Sequence, residues 1–305
     1  MILLLDALAE RVLLGDGAMG TQLQIAGLES GGCGEAWNLD HPERILKIQR
    51  GYVDAGSDIL LTNTFGASRI MLNRHEEGER TVDINKAAVA LARKALGGHG
   101  FVLGDIGPFG GLMEPYGEIV REDVERAFRE QARALVEAGA DGIIIETQTA
   151  LEELEIAIAA SHDAGAQVVI GSIAFDRMVE GNDVRTMMGV SPEYAAEFMV
   201  KHGCHILALN CGTGINMNMA ADIVRRYRKV SALPCMAQPN AGQPVLENMK
   251  VVYKETPDEM AAGLPELLAA GANIVGGCCG STPDHIRRFR RILNTEAIQR
   301  MKDEG

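Results

Sequence analysis

The hydrophobic residues of this chain fall into two patterns that alternate along its whole length. Short aliphatic runs are followed by longer stretches whose apolar positions recur at helical spacing. An aliphatic run without polar alternation is typical of a parallel strand that is buried on both faces. We therefore predict eight strands, at Val12–Leu14, Asp58–Thr62, Phe101–Leu103, Gly142–Ile145, Gln167–Ile170, His205–Leu209, Cys235–Ala237 and Asn273–Val275.

The stretches between these runs predict eight helices, and a glycine such as Gly56 or Gly139 stands where a helix gives way to a strand. Strict alternation of eight strands and eight helices predicts an α/β fold, a (β/α)8 TIM-type barrel. A doubly wound sheet is the alternative, but Gly15–Gly20 lacks the glycine spacing of a nucleotide-binding turn. The predicted helices are Glu43–Ala55, Thr81–Leu96, Arg121–Ala138, Ala150–Ala164, Pro192–His202, Met217–Val230, Pro257–Ala270 and Pro283–Leu293.

Composition and charge narrow the class of protein. No linker or break in composition divides the 305 residues, so we expect a single domain over 1–305, with the barrel core at about 10–294. Lys and Arg number 29 against 42 Asp and Glu, and the net charge of −13 disfavours binding to nucleic acid or to an anionic membrane. No secretion signal or membrane-spanning run is recognisable. We therefore expect a cytoplasmic protein whose six cysteines are free thiols or metal ligands.

Three cysteines follow predicted strands at the end of the barrel where active sites form. Cys211 follows the sixth strand, and the adjacent pair Cys278 and Cys279 follows the eighth. Three thiolates suit Zn²⁺ and leave its fourth position open. Adjacent strand residues face opposite sides, so the pair can reach one metal only where the backbone breaks, as the neighbouring glycines permit. The alternative is that these cysteines are small buried hydrophobic residues, which is our interpretation of the other three.

Seven strings at or near the predicted strand ends carry a family resemblance. They are GDGAMGT (15–21), TNTFGASR (62–69), GDIGP (104–108), IIIET (143–147), LNCG (209–212), PNAG (239–242) and GGCCGSTPDHI (276–286). Together they resemble the homocysteine S-methyltransferase family, with the strongest likeness to the N-terminal homocysteine-binding barrel of cobalamin-dependent methionine synthase. The resemblance extends from about residue 10 to residue 294.

This resemblance implies a methyltransferase with a Zn²⁺ site on Cys211, Cys278 and Cys279. It also implies that Asn240 occupies the fourth metal position before the substrate arrives, although a plain turn role for Asn240 stays open. A free thiol with a pKa of about 8.5 is largely protonated at neutral pH, whereas a thiol bound to the metal is deprotonated. In such an enzyme the zinc-bound homocysteine thiolate accepts a methyl group and becomes methionine.

The resemblance also implies how the zwitterionic homocysteine is bound. Glu146 matches the family residue that meets the amino group, and Asp16 matches a second polar contact. A capping or ion-pair role for Glu146 and a turn role for Asp16 are the alternatives. The backbone amides of Gly17, Ala18 and Met19 could form a small nest for the substrate carboxylate.

The methyl donor is the most open question at this stage. The chain ends at residue 305 without a further stretch that could hold a corrinoid or a folate. We therefore expect that this chain holds no corrinoid itself and that a methylcorrinoid on a separate protein is the donor. A small donor such as S-methylmethionine or a betaine is the alternative. A non-catalytic zinc- or thiol-binding barrel and an alkyl transferase for another thiol are further possibilities.

Overall fold

The structure, a computed structural model, describes residues 3–179, 183–247 and 250–303. Eight parallel strands form one sheet, and two short antiparallel hairpins lie outside it. The hairpins pair β6 (Asp176–Arg177) with β7 (Val184–Arg185) and β10 (Pro244–Glu247) with β11 (Lys250–Tyr253). The strands of the main sheet are β1 (Leu13–Leu14), β2 (Ile59–Leu61), β3 (Phe101–Ile106), β4 (Gly142–Gln148), β5 (Val169–Ile173), β8 (Ile206–Asn210), β9 (Cys235–Gln238) and β12 (Ile274–Val275).

Helices connect the strands of the main sheet, and each predicted helix is present. The stretch predicted as one helix over Pro257–Ala270 is two helices, because Pro265 has no N–H to donate to the carbonyl of Ala261. In the described part of the chain no helix is both long and apolar enough to cross a bilayer. The helices are α1 (Leu4–Glu10), α2 (Met19–Ile25), α3 (Trp37–Asp40), α4 (Pro42–Ala55), α5 (Arg69–Asn73), α6 (Thr81–Leu96), α7 (Arg121–Glu137), α8 (Leu151–Asp163), α9 (Pro192–Lys201), α10 (Met217–Val230), α11 (Pro257–Ala262), α12 (Leu264–Ala269) and α13 (Pro283–Asp303).

The order of the strands closes the sheet into a barrel. It runs β1-β12-β9-β8-β5-β4-β3-β2. Neighbours in the sheet are therefore consecutive main-sheet strands along the chain, except that the first strand, β1, pairs with the last, β12. At the remaining seam the N–H of Asp58 donates to the carbonyl of Leu14 over 2.7 Å. The prediction of a (β/α)8 barrel is confirmed, and the doubly wound alternative is wrong.

Two apolar layers explain why the strands lack a polar face. Alternate strand residues such as Ile59 and Ile144 point into the barrel, where they form one buried cluster with Leu4, Ala7 and Leu8 of α1. The intervening strand residues face outward and pack against the helices. Because α1 contributes to the interior cluster just before β1 begins, it covers the N-terminal end of the barrel. The C-terminal ends of the strands are left to form a cavity.

Candidate metal and substrate site at the barrel mouth

The three cysteines predicted as metal ligands meet at the C-terminal end of the barrel. The sulfur atoms of Cys211, Cys278 and Cys279 all lie within 4.8 Å of one another. Strand β12 ends at Val275, so the adjacent pair lies in a turn in which Ser281 donates to the Cys278 carbonyl from both its N–H (3.1 Å) and its hydroxyl (2.7 Å). This break in the strand lets both sulfurs of the pair face one point.

Cys211 reaches the same point through an unusual backbone conformation. Its φ of 55° lies in the left-handed region, and the next residue, Gly212, has a φ of 82°. A side chain at Gly212 would collide with the Phe175 carbonyl, since its Cβ would lie 1.9 Å from that oxygen. A left-handed non-glycine residue costs roughly 1–2 kcal/mol, and such strain concentrates at functional sites. The chain therefore reverses directly after β8 and directs Cys211 into the mouth.

Asn240 lies beside this cluster with an oxygen that has no partner. Its Nδ2 donates to the Gly212 carbonyl over 3.1 Å, whereas its Oδ1 is buried without a hydrogen bond to any residue that the structure describes. Hydrogen bonds from the thiols of Cys278 and Cys279 lower the pKa of Cys211 to about 3, and the Asn240 amide contributes in the same direction. One thiolate and two thiols with an adjacent unpaired oxygen are a donor set that fits Zn²⁺. The cluster could thus hold a metal ion.

A second cluster, of buried carboxyl groups, lines the same cavity as the cysteines. Burial raises the pKa of Asp16 to about 8 and that of Glu146 to about 7, and it holds the pKa of Asp105 well above its usual range. Asp105 and Glu146 are hydrogen-bonded to each other, and Asp105 Oδ1 has no hydrogen bond to another described residue. Among the described residues that line the cavity, none is Lys, Arg or His. The cavity therefore favours a ligand that brings positive charge.

Asp16 also holds the ends of strands together. Its Oδ2 accepts a hydrogen bond from the Leu61 N–H over 2.9 Å, which joins the end of β1 to β2. Its carbonyl accepts one from the Gly277 N–H over 3.0 Å, which joins it to the loop that carries the cysteine pair. Asp16 thus has a structural role in addition to its place in the cavity.

One of the three backbone amides predicted to bind the substrate carboxylate, at Gly17–Met19, is already hydrogen-bonded within the protein. The Ala18 N–H donates to Ser281 Oγ over 3.1 Å, so this amide already has an acceptor. Met19 is the first residue of α2, where helix N–H groups have no partner inside the helix. Gly17 is packed closely, since a Cβ there would lie 2.7 Å from Ser281 Oγ and 2.9 Å from the Tyr52 ring. The amides of Gly17 and Met19 remain the better candidates for a carboxylate.

A cavity of about 280 Å³ joins these features. Eight of the nine predicted site residues line it, and Asn63 and Thr64 shape its wall. Asn240 is the ninth and contacts the cavity through Gly212 and Cys211. A larger groove of about 790 Å³ outside the barrel is lined by α5, α6 and α7, but its arginines pair with carboxylates, as Arg69 does with Glu130 over 2.7 Å. The mouth is therefore the candidate site.

Four residues of the mouth were not assigned from the sequence. Asp105 and Asn210 stand in the strings GDIGP and LNCG, so their positions at strand ends were the available signal. Ser281 fixes the cysteine turn and accepts from Ala18. Tyr253 comes from the β10–β11 hairpin and is hydrogen-bonded to the thiol of Cys279. No motif around Tyr253 indicates that it belongs to the site, because it is the fold of the hairpin that brings this residue to the cysteines.

Comparisons with known proteins agree with this architecture. Residues 13–293 match the sequence profile of the family described as homocysteine S-methyltransferase. Methionine synthases of Mycobacterium leprae and Mycobacterium tuberculosis are each 34% identical over 299 residues, which cover 93% of this chain but 24% and 25% of those proteins. The chain thus spans about a quarter of the length of these relatives.

Solved structures show the same fold. The metallated form of the homocysteine methyltransferase MmuM from Escherichia coli superposes with a TM-score of 0.76 at 23% identity, covering 94% of this chain and 99% of that one. Its oxidized form gives a TM-score of 0.73 at 22% identity, covering 92% and 96% of the two chains. With the family profile spanning nearly the whole barrel, this chain belongs to the homocysteine S-methyltransferase family.

Proposed function

We propose that this protein is a zinc-dependent homocysteine S-methyltransferase that forms methionine. The observation that carries the proposal is that three thiols and a carboxyl cluster meet in one cavity, whose described lining includes no Lys, Arg or His. An amino-acid thiol matches both clusters, because its sulfur can bind a metal held by the cysteines and its ammonium group can bind the carboxyl groups. Membership of the family and the similarity to two methionine synthases support the same reaction.

Cys211, Cys278 and Cys279 would hold the Zn²⁺, and Asn240 Oδ1 would be the fourth ligand before substrate binds. This oxygen is the natural candidate because it is buried beside the sulfurs without a hydrogen bond. A Zn²⁺ ion held by three thiolates supplies the charge that keeps the substrate sulfur deprotonated and ready to accept a methyl group. The left-handed turn at Cys211 and the turn after Cys278 keep the sulfurs facing one point.

The carboxyl cluster would orient the substrate. Glu146 and Asp105 would both contact the substrate ammonium group. Burial raises the pKa of both carboxyl groups, and the positive charge of the ammonium would lower it again, so that the pair could release its proton when the substrate binds. Asp16, which lines the same cavity, would add a further carboxyl group to this site. The backbone amides of Gly17 and of Met19, the first residue of α2, would bind the substrate carboxylate. These contacts hold the amino acid by its polar end while its sulfur reaches the cysteines.

A methylcorrinoid carried by a separate protein is the donor that we propose, with no corrinoid held by this barrel. The resemblance of the strand-end motifs to the homocysteine-binding barrel of cobalamin-dependent methionine synthase supports a corrinoid donor, and two relatives are methionine synthases by name. Exposed apolar side chains in the segments after the barrel strands also suit a protein-bound donor, because a partner could cover them. These exposed residues follow the barrel strands in the chain: Phe65, Leu112, Tyr116, Met178, Val179 and Leu246.

An assay of the donor tests this proposal. Zinc-loaded protein and homocysteine would be incubated separately with a methylated corrinoid protein, free methylcobalamin, S-methylmethionine or a betaine, with the Cys278→Ser variant as control. Methionine formed from a methylcorrinoid by the wild type alone supports the proposal. If methionine forms from S-methylmethionine or a betaine but from neither corrinoid, the corrinoid donor is wrong and the small molecule is the donor. Binding of homocysteine without turnover by any donor would favour a non-catalytic thiol-binding barrel.

A further inference from the structure

Asn210, the last residue of β8, connects the two clusters of the mouth. Its side chain is 1% exposed and uses both ends of its amide. Oδ1 accepts from the Thr147 N–H (2.8 Å) and from the Ser172 hydroxyl (2.7 Å). Nδ2 lies 3.2 Å from Glu146 Oε2 and 3.8 Å from Cys278 Sγ, and it donates to Thr147 Oγ1 over 2.8 Å. One buried amide thus contacts the carboxyl cluster and the thiol cluster together.

The contact with Thr147 shapes the strand that carries Glu146. Strand β4 changes register against β5 between Ile145 and Gln148, and Thr147 has a φ of 58°. A left-handed β-branched residue is rare and persists only where its surroundings hold it. Adjacent residues of a regular strand face opposite sides, yet Glu146 and Thr147 both line the cavity. Asn210 binds Thr147 at both its N–H and its hydroxyl, and it thereby holds this irregular turn.

The contacts of Nδ2 set a distance within the site. The same nitrogen touches Glu146 Oε2 and Cys278 Sγ, so these atoms can be no farther apart than the sum of the two contacts. If the proposed function holds, one of them meets the substrate ammonium and the other holds the metal that binds the substrate sulfur. Homocysteine places three carbons between sulfur and nitrogen, whereas cysteine places two. The distance between Glu146 Oε2 and Cys278 Sγ, which Asn210 limits, therefore determines how long an amino-acid thiol must be to reach both groups.

We propose that Asn210 is a positioning residue that selects homocysteine over shorter amino-acid thiols. It acts by fixing the ammonium-binding carboxylate relative to the sulfur-binding cysteines. This inference rests on the proposed function and extends it to thiol selectivity. A pocket of fixed size discriminates between two substrates that differ by one methylene by roughly 10–200-fold. We expect a preference of this size for homocysteine over cysteine.

The test measures the affinities of zinc-loaded protein for homocysteine and for cysteine by calorimetry. Asn210→Ala removes all of the amide contacts, and Asn210→Asp keeps the acceptor for the Thr147 N–H but loses the donor. We expect both variants to lower the homocysteine-to-cysteine affinity ratio by about tenfold or more. The sulfur-to-metal charge-transfer spectrum of the Co²⁺-loaded protein should also shift, because Cys278 loses its hydrogen-bond donor. A role limited to folding would leave both readouts unchanged in the molecules that fold.

Asn85→Ala is the matched control. Asn85 is buried and donates to the carbonyls of Ala67 (2.9 Å) and Thr81 (2.8 Å), but it does not line the cavity. This variant should lower the thermal midpoint and keep the affinity ratio. An unchanged ratio in folded Asn210→Asp, or an equal loss for both thiols, would overturn the inference and leave the proposed function intact. A wild type that binds homocysteine no better than cysteine would also overturn it, while methionine formation by the wild type tests the proposed function separately.

Discussion

Asp58 and Leu14 bind each other in both directions across the seam of the barrel. The Asp58 N–H donates to the Leu14 carbonyl over 2.7 Å, and Asp58 Oδ2 accepts from the Leu14 N–H over 2.8 Å. The same carboxylate pairs with Arg11 over 2.9 Å and with Arg290 of the last helix. One side chain therefore links β1, β2 and α13 where the first and last strands of the sheet order meet.

Asp58→Asn should destabilise the fold in a pH-dependent manner. Burial raises the pKa of Asp58, but the hydrogen bond from Arg11 and the charge of Arg290 outweigh it, so the folded pKa is lowered. The ion-pair contribution is therefore present above the unfolded pKa of about 3.9 and is lost as the pH falls through the folded value. We expect a loss of about 2 kcal/mol at pH 7 by urea unfolding, shrinking in strongly acidic buffer. Asp54→Asn, at an exposed position, is the control, and an equal loss at every pH would contradict this account.

Serine substitutions at Cys211, Cys278 or Cys279 should each remove bound zinc. Metal analysis of the wild type should give about one Zn²⁺ per chain, because the cluster offers one set of sulfur ligands. Cys235→Ala is the control, since Cys235 is buried in the core and away from the cluster. Unchanged zinc in all three serine variants would remove the basis for a metal site at the mouth.

Asn240→Ala should weaken zinc binding mainly in the absence of homocysteine. The Asn240 oxygen is buried without a partner, and in our proposal the substrate sulfur replaces it on the metal. Competition with a chelator should therefore strip the variant more readily than the wild type, and added homocysteine should narrow the difference. Equal retention of zinc by both proteins without substrate would favour the turn role for this residue.

Glu146→Gln should weaken the binding of homocysteine by about tenfold or more, because an ammonium group loses its charged partner. Glu153→Gln is a matched control. Burial raises the pKa of Glu153 to about 7 as it does for Glu146, but Glu153 accepts from the Phe109 N–H over 2.7 Å and does not line the cavity. A thiol without an amino group should bind both variants equally. Equal effects of the two substitutions on homocysteine affinity would argue against an ammonium contact at Glu146.

Gly17→Ala should raise the KM for homocysteine. The added Cβ would lie 2.7 Å from Ser281 Oγ, and the displacement would disturb the hydrogen bond that Ser281 accepts from the Ala18 N–H. Gly51→Ala, in α4, is the control, because Gly51 does not line the cavity and a Cβ there would meet only Pro283 Cγ at 3.5 Å. Steady-state kinetics should separate the two variants, and indistinguishable KM values would show that this loop does not bind the substrate.

The strand pattern was predictable, but five of the eight barrel strands (β3, β4, β5, β8 and β9) run one to three residues past their aliphatic runs. β3 extends to Ile106 rather than Leu103, and β4 extends to Gln148 rather than Ile145. Gly104 interrupts the first run and Glu146 ends the second, so hydrophobicity no longer marks a strand there. Backbone pairing with neighbouring strands continues regardless of side-chain polarity. These extensions carry Asp105 and Glu146, and the polar ends of strands are where the site forms.

The sequence by itself determined the alternation of strands and helices, and with it the barrel and the end at which polar side chains collect. Those are consequences of local periodicity, and the burial of every strand on both faces leaves a continuous apolar run. Only the tertiary structure decided which of these side chains touch. Asn210 reaches Glu146 across 64 residues and Cys278 across 68. Such contacts depend on the register of strands around a closed barrel and on left-handed turns at Thr147 and Cys211, which no local pattern of apolar residues encodes.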